Sequence, residues 1–339
     1  MTLRVRIDRL PLARAFAISR GARTEQVVVM AEIAAGGAVG RGECSPYARY
    51  DETPEGVAAQ AEAMGGWLDG ALTGGPATAR EMLLDAMPPC AARNALDCAL
   101  WDLEARQTGR RVWEIAGIAA PARMRSVLTL SMDTPDAMAE AARALPTDAI
   151  KIKVGARDGE DGARIAAIRA ARPDAWLMTD ANEGWTEAEL PALLDAARDA
   201  RIDLVEQPLA QGAEPALRRL REAGALDGLV LCADESCSKD AEIAELSRTY
   251  DAVNLKLDKT GGLTKALRDA QTAREAGMSV MVGCMLGSSL AMAPGAVLAA
   301  ASGADPVDLD GPLWLARDRD HGILAEDGTV SAPEPGLWG

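Results

Sequence analysis

From about Arg123 onward, short apolar runs alternate with amphipathic stretches. SVLTLS precedes PDAMAEAARAL, AIKIKV precedes GEDGARIAAIRAA, WLMTD precedes TEAELPALLDAARDA, and IDLVE precedes EPALRRLREAG. The rhythm continues with LVLCAD and KDAEIAELSRT, AVNLKL and LTKALRDAQTAREAG, then SVMVG and SSLAMAPGAVLAAAS, and PVDLD closes it. Short apolar runs of this kind read as buried parallel strands, and the longer segments of period 3.6 as helices. Eight strands and seven helices in unbroken alternation predict an α/β fold, a modified TIM barrel of (β/α)7β type, over residues 121–312. A closed barrel suits an uninterrupted repeat better than an open doubly wound sheet.

Before the barrel the pattern differs. RVRID, VVVMAEIA and AVGRGECS alternate or run apolar and are separated by GARTEQ and AAGG, which predicts strands joined by those polar connectors. Thr53-Pro54-Glu55 has the form of a helix start, with Thr as cap and Pro in the first turn. A second helix, from about Pro89 to Gln107, puts Ala95, Ala99 and Leu103 on one stripe with Leu96 and Leu100, and ends at Gly109. Residues 1–120 therefore read as an α+β capping domain. The tail, residues 313–339, returns to short strand-like pieces and is expected to fold back on that domain.

Composition narrows the setting. The 339 residues are 48% hydrophobic with only 3% aromatics, and the net charge of −15 argues against nucleic acid or an anionic membrane as partner. No apolar run approaches the roughly 20 residues of a membrane span. The opening MTLRVRIDRL lacks the apolar core of a signal peptide. Cys44, Cys90, Cys98, Cys232, Cys237 and Cys284 form no CxxC pair and read mostly as small buried hydrophobes. The expected location is the cytoplasm, and self-association is left open. His321, the single histidine, lies in a polar stretch and reads as a surface residue, so histidine-based triads and zinc sites are excluded.

Charge enters where the barrel pattern is most apolar. Lys153, Asp180, Glu206, Asp234 and Lys256 each close one of the apolar runs. Charged groups at the buried ends of parallel strands are costly unless they share a task, and barrel chemistry sits at those C-terminal ends. Asp180 alone serves equally well as a helix cap. Asp180, Glu206 and Asp234 at equivalent positions on successive strands favour a shared cation. Oxygen donors without His or Cys favour Mg²⁺ over Ca²⁺ or Zn²⁺. Lys153 and Lys256 would flank that ion, with Lys151 on the face of Lys153. A neighbouring cation can lower a lysine pKa toward neutrality, so acid/base work is favoured over simple charge pairing. Asp308 and Asp310, in DLDGP, read either as a strand ending in a turn or as a clamp for a substrate ammonium.

With these residues in view, the chain resembles the enolase superfamily and its muconate-lactonizing-enzyme-like branch. The motifs GRGECSPYARYDET, KIKVG, TDANEGW, VEQP, ADES, NLKLDKTGG and DLDGP carry the resemblance across nearly the whole chain. Within the branch, the ISRGARTE loop, the CSPYARY segment and the DLD pair are similar to bacterial dipeptide epimerases of the L-Ala-D/L-Glu type. The resemblance implies a 1,1-proton transfer at the α-carbon of a dipeptide's C-terminal residue. Mg²⁺ on Asp180, Glu206 and Asp234 would stabilise the enolate, and Lys153 and Lys256 would act on opposite faces. Lys151 would hold the carboxylate, and Asp308 and Asp310 the ammonium. Thr129 and Cys284 would line the dipeptide site, and Arg20 or Arg23 would reach a glutamate side chain, although spacing alone makes these arginines solvated. Asp258, where relatives carry an uncharged residue, would shift substrate preference if it faced the mouth and mean nothing if it faced outward. Cell-wall peptide turnover is the implied source of substrate.

Cycloisomerases, o-succinylbenzoate synthases and N-succinylamino acid racemases share the two-lysine layout. Their substrates carry no free ammonium, and the DLD pair weighs against them. Acid-sugar dehydratases need a barrel histidine that this chain lacks. A non-catalytic barrel binding a small acid is the alternative of another class.

Overall fold

The structure, a computed structural model, describes residues 1–18 and 21–339. Three strands, β1 (Thr2–Ile18), β2 (Gly21–Ala35) and β3 (Ala38–Cys44), form an antiparallel meander in the order β1-β2-β3. The polar GARTEQ segment lies inside β2 rather than between strands, with Arg23 opposite Phe16 and Glu25 opposite Pro11. Arg23, Thr24 and Glu25 are exposed, so this end of the ribbon needs no apolar alternation to pair.

Helix Pro54–Ala63 starts where the cap predicts, the Thr53 hydroxyl accepting from Gly56 N–H. Two further helices, Gly65–Ala71 and Gly75–Ala86, follow it. Helix Ala91–Thr108 is buried on nearly every side. Ala95, Ala99 and Leu103 pack on the meander, whereas Cys98, Trp101 and Ala105 belong to the barrel's core. Alanine and glycine make this contact possible: a Cβ on Gly42 would stand 2.1 Å from the Ala95 carbonyl oxygen.

After the short β4 (Met124–Arg125), seven parallel strands curl in sequence order: β5 (Leu128–Leu130), β6 (Ala149–Lys153), β7 (Trp176–Asp180), β8 (Leu204–Glu206), β9 (Leu231–Ala233), β10 (Ala252–Lys256) and β11 (Ser279–Gly283). The eighth expected strand is reduced to two parallel bridges, Ser126 with Val307 and Gly283 with Asp308, which close the ring. Two crossovers also differ from expectation. The helix after β7 begins at Leu190, behind a turn in which Glu189 binds Thr186, and the helix after β9 is the single turn Ile243–Leu246.

The tail joins the two parts. Its strand β12 (Thr329–Val330) pairs with β4, and Leu315 bridges to Leu12 on β1. Arg319 binds Glu43 and Asp8, and Trp338, fully buried, donates its indole N–H to the Cys98 carbonyl. Among the described residues, no helix is long and apolar enough to cross a membrane. His321 is exposed, with its ring near Glu334. Four cysteines are buried, Cys90 and Cys284 are partly so, and all six thiols are free.

Candidate active site

Strand alternation divides the barrel interior into two tiers. The lower is an apolar floor of Val127, Ala149, Met178, Leu204, Cys232, Ala252 and Met281. A step of two residues returns to the same face, and on these strands it gives Thr129, Lys151, Asp180, Glu206, Asp234 and Asn254. Another step gives Lys153 and Lys256. Register completes the grouping, since Lys153 pairs with Asp180 and Asp180 with Glu206 across β6, β7 and β8. Above this tier opens a cavity of about 650 Å³. Thr129, Lys151, Lys153, Lys256, Cys284, Asp308 and Asp310 line it from the barrel, as does Asp234. Phe16, Arg23, Ser45 and Tyr47 line it from the meander and the loop after β3. Arg20 lies outside the described residues.

The carboxylates are held by ammonium groups. Lys151 Nζ stands 2.7 Å from Asp308 Oδ2, 2.8 Å from Glu206 Oε2 and 2.9 Å from Asp180 Oδ2. Lys153 Nζ donates to Asp180 Oδ2 at 2.7 Å and Asn182 Oδ1 at 3.0 Å. Lys256 Nζ donates to Asp234 Oδ2 at 2.8 Å. Asp310 accepts from the Thr129 N–H at 2.8 Å and from the Trp314 indole at 3.3 Å. Arg23 donates to Gln26 at 2.8 Å at the rim.

These contacts set the protonation states. Burial opposes charge on Lys151, but Asp180, Asp308 and Glu206 outweigh it and hold its pKa well above the ordinary lysine value. Lys256 is likewise raised, burial being overcome by Asp234 and Glu206. Neighbouring carboxylates thus favour the ammonium form of Lys151 and Lys256, the opposite sign to the effect expected of a neighbouring cation. Burial pushes Glu206 up to about 7, helped by the Asp180 charge. Asp234 lies well below its usual range because Lys256 and Lys259 overcome its burial.

Among the described residues, no three His, Cys, Asp or Glu side chains converge as a ready coordination sphere. Asp180, Glu206 and Asp234 pair with the Lys151, Lys153 and Lys256 ammonium groups. The donor set still suits a hard divalent ion, being all carboxylate and drawn from adjacent strand ends. Glu206 Oε2 is also buried without a hydrogen-bond donor, with the Lys151 ammonium 2.8 Å away but outside hydrogen-bond geometry.

Several supporting residues were not singled out from sequence. Asn254 donates to Glu206 Oε1 at 2.7 Å, and a Cβ on Gly283 would meet the Asn254 amide at 2.4 Å, so glycine there makes room for it. Gln207 accepts from the N–H groups of Asp234 and Ser236, both at 3.0 Å, which holds the loop after β9. The strand face of Asn254, two residues before Lys256, and the VEQP motif were the available signals.

Asp258 faces neither the mouth nor solvent. It is buried between barrel and meander, with Oδ1 accepting from Ser45 N–H at 3.0 Å and Asn94 Nδ2 at 2.8 Å. Burial raises its pKa from 3.8 to about 7. The folded chain then binds the extra proton between those values, so the acid costs stability as pH rises through the interval, on the order of 4 kcal/mol when fully ionised. Asp258→Asn keeps the acceptor and should raise the melting temperature at pH 8 with little effect at pH 4. An equal shift at both pH values in a thermal melt would contradict this.

Residues 1–117 match the family model described as mandelate racemase / muconate lactonizing enzyme, N-terminal domain, and residues 134–337 match the one described as enolase C-terminal domain-like. An L-Ala-D/L-Glu epimerase of Escherichia coli (strain K12) is 41% identical over 330 residues, covering 97% of this chain and 99% of its own length. An N-acetyl-D-glutamate racemase of a Pseudoalteromonas species is 41% identical over 305 residues, 88% of this chain and 91% of its own. Among solved structures, an enolase family member from Agrobacterium tumefaciens with homology to dipeptide epimerases, with bound sodium and L-Ala-L-Glu, is 43% identical. It superimposes with a TM-score of 0.89 over 99% of both chains. A dipeptide epimerase of Enterococcus faecalis V583 complexed with Mg and L-Leu-L-Tyr is 28% identical, with a TM-score of 0.85 over 98% of this chain and 96% of that one.

Proposed function

The chain belongs to the enolase superfamily, in its mandelate racemase / muconate lactonizing enzyme group, and on that premise we propose that it is a dipeptide epimerase. It is an isomerase that inverts the α-carbon of a dipeptide's C-terminal residue, with L-Ala-D/L-Glu as the favoured substrate. The reading is supported above all by Lys153 and Lys256, which line one cavity from the ends of β6 and β10.

Asp180, Glu206 and Asp234 would hold Mg²⁺, and the ion would supply stabilisation for the negative charge that develops on the substrate carboxylate. Lys151 helps to bind that carboxylate. Lys153 takes or returns the α-proton on one face and Lys256 does so on the other, so the carbon inverts. Asp308 and Asp310 pair with the free ammonium. Thr129 and Cys284 shape the wall, and Arg23 offers a planar fork to an acidic side chain at the rim. The setting is the cytoplasm, with peptides from cell-wall turnover as supply.

The test is a panel of dipeptides incubated with the enzyme and Mg²⁺ in D₂O. Deuterium should enter at the C-terminal residue's α-carbon from both stereoisomers; ring formation or loss of water would sink the reading. N-acylated amino acids are the rival substrates, since the Pseudoalteromonas relative is named for one. Asp310→Asn separates the two. It should lower kcat/KM for free dipeptides by about 30- to 100-fold, the worth of a charged hydrogen bond, and barely affect N-blocked ones. Equal loss for both would remove the ammonium role and favour the acylated substrate.

A further inference from the structure

Lys259 has no part in the roles above. It lies on the one-turn helix Leu257–Thr260 directly after β10, is 2% exposed, and does not line the cavity. A lysine buried away from the substrate cavity is costly unless its charge and its donors are used. Here they converge on one neighbourhood: Nζ donates to the Asp234 carbonyl at 2.6 Å, to Asp234 Oδ1 at 2.8 Å and to the Asn254 carbonyl at 3.1 Å. Gln207 holds the Asp234 N–H from the other side. Asp234 is thus fixed at its N–H, its carbonyl and one carboxylate oxygen. The remaining oxygen, Oδ2, carries the Lys256 ammonium at 2.8 Å.

We infer that Lys259 is a positioning residue for Lys256, acting through Asp234. By locking Oδ1 and the backbone it fixes Oδ2, and Oδ2 fixes where the Lys256 amine stands above the floor. The effect is directional. The contacts of Lys259 are at the ends of β9 and β10, whereas Lys153 rests on Asp180 and Asn182 across the barrel. Asp234 is also one of the carboxylates assigned to the cation, so loss of Lys259 has an effect shared by both isomers. On top of that it disturbs one amine more than the other; saturating Mg²⁺ minimises the shared effect and the isomer ratio reads the rest. This role rests on the epimerase reading, in which each amine serves one stereoisomer.

The full-length enzyme with Mg²⁺ in D₂O provides the test, with exchange measured separately from the L,L and L,D dipeptides. The isomer that still exchanges in Lys153→Ala is the one served by Lys256. Lys259→Met should lower the exchange of that isomer relative to the other by about tenfold or more, as expected for a displaced acid/base group. Lys259→Arg keeps charge and donors and should bring the ratio back to within about threefold of the unaltered enzyme. Because both rates come from the same sample, a reduced folded fraction leaves the ratio unchanged. Equal loss for both isomers, or an unaltered ratio, overturns the role. Absence of exchange in the unaltered enzyme overturns the epimerase reading, and this role with it.

Discussion

Lys153→Ala is expected to abolish epimerisation, lowering turnover by roughly 10³- to 10⁴-fold, while deuterium still enters one stereoisomer. In the two-base inversion proposed, one amine takes the proton on one face of the α-carbon and the other supplies it on the opposite face. Lys153 and Lys256 stand on the second and sixth strands of the barrel, and both reach the cavity. Removal of one leaves the other able to detach and return a proton on its own face, so exchange persists without inversion. Nuclear magnetic resonance of the α-proton, started from each isomer separately, reads the two events apart. Unaltered exchange from both isomers would mean that Lys153 moves no proton.

Withdrawal of divalent ions by a chelator is expected to suppress exchange from both isomers by roughly 10³-fold or more, with recovery on adding Mg²⁺. Without the ion, Lys151 and Lys256 are bound to carboxylates that keep their pKa values above the ordinary lysine range. At Lys256 that direction works against its use as a base. A cation on Asp180, Glu206 and Asp234 adds positive charge beside these amines, and the sign of that effect is to lower their pKa. Mg²⁺ binding should therefore release protons, visible in calorimetry as a heat that depends on the ionisation enthalpy of the buffer. Full activity in the chelated enzyme would remove the metal from the mechanism.

The polar tier was legible because a charge closing an apolar run is conspicuous and strand alternation leaves little choice of direction. Lys153, Asp180 and Glu206 ended their runs in the sequence and stand in direct register in the sheet. Legibility failed where alternation stopped. Asp258 and Lys259 follow Lys256 into the helical turn Leu257–Thr260, and there strand period no longer predicts a direction. One turned to Ser45 and Asn94, the other to Asp234. The shortened crossover at Ile243–Leu246 was hidden because KDAEIAELSRT has helical composition in an isolated reading. The ribbon continuing through Arg23 was hidden for the opposite reason: exposed on its outer reach, it carries no apolar signature.

Phe16, Arg23, Ser45 and Tyr47 come from the first fifty residues, whereas the amines come from barrel strands far along the chain. A substitution among the former would reshape their wall of the cavity while leaving the amines on their barrel strands in place. Evolution can thus retarget such an enzyme by small edits near its start, keeping an old reaction and applying it to new peptides.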